Sequence, residues 1–415
     1  MSFQSRSRRL VRQTGKNVLA SSLYATALHQ FDKLLGRRFP VAPSTSGHTL
    51  LLAPSGGGNI GDQAMFDMIL ATAQGPIVAL VSHGDALRLR DADRRRVTLV
   101  TVPHLLKTPP PVRGADIRRF LRALDGAARF WIPGADTMDG GHPSASLARF
   151  SLARLAAAQG VPTTILGFSW SDDAPRSVVR AARNAAREGV RLIARDPLSH
   201  RRLVSSGVTP VVDAADIVFD YGTLEDLPNA VTQWLDASDQ PVAIVNVSGM
   251  VGRKFSAQAT EYDLVFRELH ERGLRILVLP HVLRDWDDDL QASSAVFRRY
   301  AATTDHLVTE QLWPAQVKAL VQHADIVVTG RMHLAIMSMT HSVPVVTVAT
   351  AGKVEGLYEM MGLTDGVVQP RPGMGDAIVS VLRSWLDQRN VVIDQLTRVR
   401  PEVVRRSRLN FPESA

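Results

Sequence analysis

The chain has no cysteine among its 415 residues. This absence excludes disulfide bonds, zinc–cysteine sites, iron–sulfur clusters and a thiol nucleophile, and it fits a reducing compartment, so we expect a cytoplasmic protein. No run of about 18 apolar residues is present, and the sequence therefore predicts no transmembrane helix. Aromatic residues make up only 6% of the chain and hydrophobic residues 45%, which is ordinary for a globular protein.

Several common catalytic motifs are missing as well. The sequence contains no G-x-x-x-x-G-K-[ST] phosphate loop, no H-E-x-x-H zinc helix, no G-x-S-x-G nucleophile elbow and no EF-hand loop. The acids at 287–289 follow Trp286 and look like a solvated helix start. We therefore expect no dedicated metal site and no resident cofactor.

Acidic residues are scarce in one segment. Residues 1–40 carry a charge of +7 in a chain whose total is +8, since the only acid there is Asp32. The rest of the chain is nearly neutral, so general nucleic-acid binding is not expected. The segment is a solvated basic arm, a transit peptide, or a surface that contacts an anionic membrane peripherally at its inner face. Its basic residues are Arg6, Arg8, Arg9, Arg12, Lys16, Lys33, Arg37 and Arg38.

Short β-rich runs alternate with helical stretches, a pattern typical of parallel α/β sheets. Candidate strands lie at 49–53, 76–82, 97–102, 129–133, 163–168, 190–195 and 209–213, and again at 241–248, 274–280, 306–309, 325–330 and 343–348. The predicted domains are a basic N-terminal arm (1–40), a Rossmann-like domain (41–222), a linker (223–240), a second Rossmann-like domain (241–388), and a C-terminal helix and tail (389–415). Two such domains would face a cleft at the carboxyl ends of their strands.

A glycine-rich turn, GGGNIGD, follows the first candidate strand. Its glycines at 56, 58 and 61 satisfy the dinucleotide fingerprint G-x-G-x-x-G, and Gly57, Gly58 and Asn59 would let a ligand approach the backbone. Asp62, however, stands at the start of the next helix, where a carboxylate repels a pyrophosphate, so NAD binding is disfavoured. Asp62 is either a structural helix cap, or a carboxylate that acts as a general base or binds a substrate hydroxyl.

Two more strand ends in the first half carry polar groups. The sequence PGADTMDGG at 133–141 repeats the arrangement of strand, glycine and acid, so Asp136 and Asp139 either form an ordinary turn or bind sugar hydroxyls. Arg195 ends a later strand, just before Asp196 and Pro197. It is either a solvated arginine or a cation that points into the cleft.

The sharpest signal is DIVVTGRMHLAIMSMTHSVPVV, residues 325–346. A buried strand ends at Thr329, and Arg331 and His333 follow in the first turn of an otherwise apolar helix. A lone histidine in a helix is usually structural, but here a helix N-terminus, a guanidinium and an imidazole converge, which suits a carboxylate or phosphate. Lys353 and His281 follow other strands at the same sheet edge.

These motifs resemble the polysaccharide pyruvyl transferase family. The resemblance covers most of residues 48–365 and includes GGGNIGDQA, PGAD, the R-D-x-x-S at 195–199, DAAD, LPH…D and, most specifically, GRMHLAI…SVPVV…GKVEGLYEMMGL. Two departures concern the acceptor side. The family often has a glycine triplet where this chain has Gly134, Ala135 and Asp136, and a glycine–proline pair where it has Ser169 and Trp170.

The resemblance implies a fold like that of the glycosyltransferase B (GT-B) class, with the acceptor on the N-terminal domain and the donor on the C-terminal domain. It implies transfer of a pyruvyl group from phosphoenolpyruvate, a donor substrate and not a cofactor, to a sugar or lipid-linked glycan acceptor. The product is a pyruvate ketal, and phosphate is released. The alternatives are a nucleotide-sugar-dependent glycosyltransferase of the same fold, for which Glu355 is a candidate ribose ligand, and a non-catalytic glycan-binding relative.

Roles for single residues follow, of which those of Arg331, His333 and Arg195 come from the resemblance, and those of Asp62 and Lys353 rest more on the positions of these two residues in the sequence. Arg331 and Arg195, assisted by Lys353, would hold the carboxylate and phosphate of the donor. His333 would be the acid or a phosphate ligand, and Asp62 would be the base or would position the acceptor. The remaining predicted substrate contacts are Gly57, Gly58, Asn59, Asp136 and His281.

Overall fold

The computed structural model describes residues 21–54, 57–285, 287–349 and 353–411. The chain forms two compact units. Unit 1 takes the described residues of Met1–Ser55, Ile69–Asp216 and Leu409–Ala415, and unit 2 takes those of Gly56–Met68 and Ile217–Arg408. The described part of the glycine-rich turn and the first nine residues of the helix after it, residues 60–68, therefore belong to unit 2.

Unit 1 contains a sheet of seven parallel strands in the order β3-β2-β1-β4-β5-β6-β7. The strands are β1 (His48–Leu52), β2 (Ile77–Val81), β3 (Val97–Thr101), β4 (Ala127–Ala135), β5 (Thr163–Phe168), β6 (Arg191–Ala194) and β7 (Val212–Asp213). The helices are α1 (Ser22–Arg38), α2 (Ile60–Thr72, which begins in unit 2), α3 (Asp91–Arg94), α4 (Gly114–Leu124), α5 (Pro143–Ala158), α6 (Arg176–Arg187) and α7 (Pro197–Ser205).

The central strands of this sheet are buried on both faces. All six residues of β5 are buried, and in β1 Leu50 pairs with Val78 of β2 and Phe130 of β4. Continuous apolar runs such as TTILGF are what a parallel strand needs when helices cover both faces of its sheet.

Unit 2 contains a sheet of six parallel strands in the order β12-β9-β8-β13-β14-β15 and a short antiparallel hairpin, β10–β11. The strands are β8 (Val242–Val245), β9 (Arg275–Val278), β10 (Leu283–Arg284), β11 (Asp287–Asp288), β12 (His306–Leu307), β13 (Ile326–Thr329), β14 (Val345–Val348) and β15 (Val367–Val368). The helices are α8 (Asn229–Asp236), α9 (Gly249–Lys254), α10 (Gln258–Glu271), α11 (Asp289–Tyr300), α12 (Pro314–Val321), α13 (Met332–Thr340), α14 (Lys353–Met361), α15 (Met374–Asp387) and α16 (Arg389–Arg408).

Both sheets have the doubly wound strand order of Rossmann folds, so the predicted α/β class with two Rossmann-like domains is confirmed. Every predicted strand is present. The strands that the sequence did not predict, β10, β11 and β15, are two residues long each and too short to produce a periodic signal. In unit 2 the strand order reverses between β8 and β13, and ligands of such sheets bind beyond the carboxyl ends of strands at that point.

The structure also shows where the described part of the basic segment and the predicted linker lie. The described part of the basic segment includes α1, whose Leu28 and Asp32 are buried within unit 1, and residues 1–20 lie outside the described residues. The predicted linker contains α8, which buries Val231 in unit 2. Among the described helices, none is long and apolar enough to cross a membrane.

Candidate active site

Asn246 connects three strand ends of unit 2. Its side-chain oxygen accepts hydrogen bonds from the Thr329 hydroxyl (3.2 Å) and the Gly330 N–H (3.4 Å), at the end of β13. Its amide donates to the Leu279 carbonyl, beyond β9, at 3.0 Å, and to Asp289 at 3.0 Å. A Cβ on Gly330 would lie 2.6 Å from that of Ser248, so a glycine is needed for this close approach.

Asp289, at the start of α11, is the centre of a buried network. It is completely buried, and its carboxylate accepts from the backbone N–H groups of Gly249 (2.8 Å), His281 (3.2 Å) and Val282 (3.0 Å) as well as from Asn246. Burial raises the pKa of Asp289, but the Arg331 guanidinium and the donated hydrogen bonds outweigh it and the pKa is lowered. The carboxylate therefore stays ionised inside the protein.

Arg331, the residue before α13, is held between two carboxylates. Its Nη2 lies 2.5 Å from Asp289 Oδ1 and 2.7 Å from Asp287 Oδ1, its Nε donates to Asp289 at 3.1 Å, and its Nη1 donates to Asp287 at 3.0 Å. Burial alone would lower the pKa of Arg331, but Asp289 and Asp287 raise it above its ordinary value. All three guanidinium nitrogens thus have carboxylate partners.

This arrangement corrects the sequence-based view of the acids at 287–289. We expected a solvated helix start, but Asp287 is 2% exposed and Asp289 is completely buried. Alternate residues of an extended segment point to the same side, so the pattern D-x-D was the signal that could have paired these acids with one arginine. Arg253 of α9 also reaches Asp287, at 3.3 Å, with half of its side chain exposed.

Two imidazoles accompany this network. A Cβ on Gly61 would lie 2.2 Å from His333 Nδ1, which places His333 directly against the first turn of α2. His281 is 1% exposed, and neither ring nitrogen has a hydrogen-bond partner in the part of the chain that the structure describes. Burial lowers the pKa of His281 to about 3, with smaller contributions from His333 and Arg331, and the opposing effect of the Asp289 carboxylate does not offset it. The ring is therefore neutral at neutral pH.

The glycine-rich turn pairs with the segment after β9. The Leu283 N–H donates to the Gly58 carbonyl (2.7 Å), and the Ile60 N–H to the His281 carbonyl (3.1 Å). Gly58 has φ +78°, and a Cβ there would lie 2.0 Å from the Leu283 carbonyl oxygen. The predicted backbone contacts of Gly57 and Gly58 are thus made with protein, since the Gly57 carbonyl accepts from Arg284 Nε at 2.8 Å.

Asn59 caps helix α2. Its side chain accepts from the Gly61 N–H (2.9 Å), and its carbonyl from the Gln63 N–H (3.0 Å). Asp62 forms an ion pair with Arg284 of β10, 2.7 Å from Oδ2 to Nη2, with both side chains largely buried. A carboxylate and a guanidinium thus lie beside the turn that contacts His333, and Arg284 is a site residue that the sequence analysis missed.

Two predicted site residues belong to unit 1. Arg195 is 2% exposed; its Nη1 donates to Asp216 at 2.9 Å and its Nε to the Ser169 hydroxyl at 2.8 Å. This buried pairing differs from the expected position at a cleft, and it gives Ser169, one of the two departures from the family pattern, a defined role. Asp136 is exposed and follows Ala135, which has φ +46°.

The structure therefore unites one group of predicted residues within unit 2. These are Gly57, Gly58, Asn59, Asp62, His281, Arg331 and His333, to which it adds Asn246, Arg253, Arg284, Asp287 and Asp289. Lys353 begins α14, directly after residues that the structure does not describe. Within the described ranges, no three His, Asp or Glu side chains converge to hold a metal ion.

Solved structures with a similar fold include two plant UGT proteins and a UDP-GlcNAc 2-epimerase. UGT89C1 of Arabidopsis thaliana complexed with quercetin is 12% identical with a TM-score of 0.57, covering 88% of this chain and 98% of that one. UGT2 of Phytolacca americana, complexed with UDP-2-fluoro-glucose and pterostilbene, is 12% identical with a TM-score of 0.56, and the match covers 89% of this chain and 99% of that one. The UDP-GlcNAc 2-epimerase of Neisseria meningitidis bound to UDP-GlcNAc is 10% identical with a TM-score of 0.51, and the match covers 87% of this chain and 98% of that one.

At such low identity these similarities show the fold alone, which is GT-B-like as expected. A comparison with curated protein sequences gives no match. The family model of the polysaccharide pyruvyl transferases matches residues 82–352, a range that includes the network around Arg331 and Asp289. This chain is therefore a transferase of the polysaccharide pyruvyl transferase family.

Proposed function

We propose that this enzyme transfers the pyruvyl group of phosphoenolpyruvate to two hydroxyls of one sugar in a polysaccharide or glycan precursor, forming a ketal and releasing phosphate. The observation that carries the proposal is the position of the segment from Arg331 to His333, which is the most specific part of the family resemblance. It lies at the switch point of the second sheet, beside the His281 imidazole and the ion-paired carboxylate of Asp62. The proposal adds a donor and a reaction to the family membership.

The reaction needs one acid and one base. Protonation of the donor's methylene carbon makes C2 electrophilic, and the first sugar hydroxyl attacks C2 while its proton passes to a base. The second hydroxyl then attacks C2 and passes its proton to the deprotonated acid group, while phosphate leaves with the C2–O bond electrons and takes up the proton held by the base. General acid–base groups typically contribute about 10²–10⁴-fold to such steps.

We assign the acid to His333 and the base to Asp62. His281 has a pKa of about 3 and is therefore uncharged at neutral pH, which makes it a poor proton donor. His333 lies against the first turn of α2, the turn that carries Asp62. Arg284 fixes the carboxylate of Asp62 at 2.7 Å and would keep it oriented toward an acceptor hydroxyl.

The donor carries up to three negative charges and needs cations. Arg331 would bind the carboxylate or phosphate of the donor. The donor anion would replace Asp287 beside the guanidinium, while Asp289 would stay bound to it. Arg253, whose side chain is half exposed, would keep its ion pair with Asp287 after the Asp287 carboxylate has left Arg331. Arg195 and Lys353 remain further candidates, as do Asp136 and the backbone of Gly57, Gly58 and Asn59 on the acceptor side.

A lipid-linked acceptor would bring the enzyme to a membrane. The basic segment at residues 1–40, with a charge of +7, supports peripheral contact with an anionic surface. The nucleotide-sugar alternative gains no support beyond the fold, since the similar structures are only 10–12% identical.

Thermal protection and phosphate release test the donor together. Phosphoenolpyruvate at about 100 times its Kd should add about 2.7 kcal/mol to the unfolding free energy, while UDP-glucose and NADH should add nothing. Phosphate should be released from phosphoenolpyruvate only when a suitable sugar from an acceptor panel is present. Protection by UDP-glucose without protection by phosphoenolpyruvate would establish the glycosyltransferase alternative instead.

A further inference from the structure

Helix α1 is fixed on unit 1 by its inner face. The Asp32 side chain is completely buried, accepts from the Ser151 hydroxyl at 2.6 Å and pairs with Nη2 of the equally buried Arg113 at 3.2 Å. A Cβ on Gly36 would lie 2.5 Å from Leu155 Cδ1, so α1 and α5 pack closely at that point. The outer face of α1 therefore has a defined direction.

That outer face carries an apolar stripe in contact with solvent. Leu23 is 82% exposed and Leu34 is 61% exposed. The eleven residue steps between them make about three turns, so the two side chains lie on one line along the helix. Ala27 and the polar Gln30, both exposed, lie between them on the same face. Phe39, directly after the helix, is 39% exposed. We call Leu23, Ala27, Leu34 and Phe39 the α1 stripe.

Basic side chains flank the α1 stripe. Lys33, Arg37 and Arg38 are exposed, and the single acid of the helix, Asp32, is buried against Arg113. The Arg38 guanidinium lies 5.9 Å from the Phe39 ring centroid, which joins the positive and apolar parts of the face. The sequence before the helix adds Arg6, Arg8, Arg9, Arg12 and Lys16.

We infer that this face lies on an anionic phospholipid surface, with the α1 stripe in the headgroup–acyl boundary and the basic side chains on the lipid phosphates. Exposed apolar side chains with flanking arginines and lysines are typical of amphipathic helices that lie in the membrane interface. A second copy of this chain is a poorer partner, because two such faces would bring positive charges together. The inference deepens the membrane contact of the proposed function, but it is independent of the donor and the reaction.

Vesicle binding by the full chain tests the inference without phosphoenolpyruvate or acceptor. We expect sedimentation with vesicles of phosphatidylcholine and phosphatidylglycerol in equal parts, and much less with phosphatidylcholine alone or at high salt. The double variant Leu23→Ser/Leu34→Ser should weaken binding by at least about fivefold, since each leucine loses its burial in lipid. Lys33→Gln/Arg37→Gln/Arg38→Gln should weaken it similarly and reduce its dependence on salt.

A matched control separates the α1 stripe from general hydrophobicity. Leu224→Ser/Val391→Ser removes two other exposed side chains, 49% and 64% exposed, in unit 2, and should bind as the unchanged protein does. Vesicle binding that the α1 stripe double variant leaves unchanged would overturn the inference. So would a dimer in solution that this variant dissociates while vesicle binding persists. Retained turnover on soluble acceptors would show that a loss of vesicle binding is not a loss of folding.

Discussion

Arg331 and Asp289 form a two-point ion pair in the interior of unit 2, with Nη2 2.5 Å from Oδ1 and Nε 3.1 Å from Oδ2. The pair connects the end of β13 with the start of α11, and through Asn246 it reaches the ends of β8 and β9. The residue that family resemblance assigns to the donor is thus also the residue that holds the surrounding loops together. Stability and donor binding should depend on the same guanidinium.

Removal of the Asp289 charge should destabilise the protein strongly. Asp289→Asn leaves a buried guanidinium with one carboxylate and replaces one acceptor oxygen by a donor amide, and breaking buried pairs of this kind costs about 3–5 kcal/mol. Urea unfolding measures the difference. The exposed neighbour Asp285 is the control, since Asp285→Asn should change stability by less than about 0.5 kcal/mol. Equal effects of both substitutions would contradict the role of the network.

Gly61→Ala should displace His333 without weakening the helix. A methyl group there would meet His333 Nδ1 at 2.2 Å, while alanine is a better helix former than glycine by about 1 kcal/mol. If His333 is the acid, a displacement of this size should lower turnover about 100-fold. Gly84→Ala, with no atom within 4 Å of the added methyl, should leave turnover unchanged. Full activity in folded Gly61→Ala would exclude a positioned role for His333.

His333→Gln distinguishes a proton donor from an anion ligand. Glutamine keeps a hydrogen-bond donor of similar size but cannot deliver a proton. If His333 is the acid, steady-state kinetics should show turnover lower by about 100-fold with a nearly unchanged constant for phosphoenolpyruvate. A large rise in that constant with unchanged turnover at saturation would make His333 a ligand of the donor only.

Asp62→Asn tests the base. Because Asn59 caps α2, the substitution should spare the helix, and the loss of the ion pair with Arg284 should cost about 1 kcal/mol. Turnover should be lost, since an amide cannot accept the proton of a sugar hydroxyl. Retained turnover in the folded variant would move the search for the base to other carboxylates, beginning with Asp136.

His281 should make the protein sensitive to acid. Burial lowers its pKa from 6.5 to about 3, so the unfolded chain binds this proton more readily than the folded protein. The stability that the neutral ring provides is complete above pH 6.5 and is lost as the pH falls from about 6.5 toward 3. One such proton gives a slope of about 1.4 kcal/mol per pH unit.

Unfolding measured across this pH range checks the effect. In His281→Gln, up to one proton fewer should be taken up on unfolding, so the unfolding free energy should depend less steeply on pH. His323→Gln, at an exposed position, should leave that dependence unchanged. Identical pH profiles for the unchanged protein and His281→Gln would show that His281 is not held neutral by the fold.

The sequence by itself determined the fold class, since alternating apolar strands and helices allow few topologies other than doubly wound parallel sheets. It also located Arg331, His333, Asp62 and His281, because each follows a recognisable strand or opens a helix. Periodicity is a local property, and these features are local.

Only the tertiary structure determined which partners the charged side chains and the backbone groups have. Whether a charge is solvated depends on what folds over it from distant parts of the chain, and no local pattern records that. Asp287 and Asp289 looked solvated but are buried against Arg331, which is 44 and 42 positions away, respectively. Gly58 pairs with Leu283, and the basic segment contributes a helix whose inner face is fixed by Arg113. These pairings exist because desolvated charges and backbone groups must find partners, and the sheets bring those partners within reach.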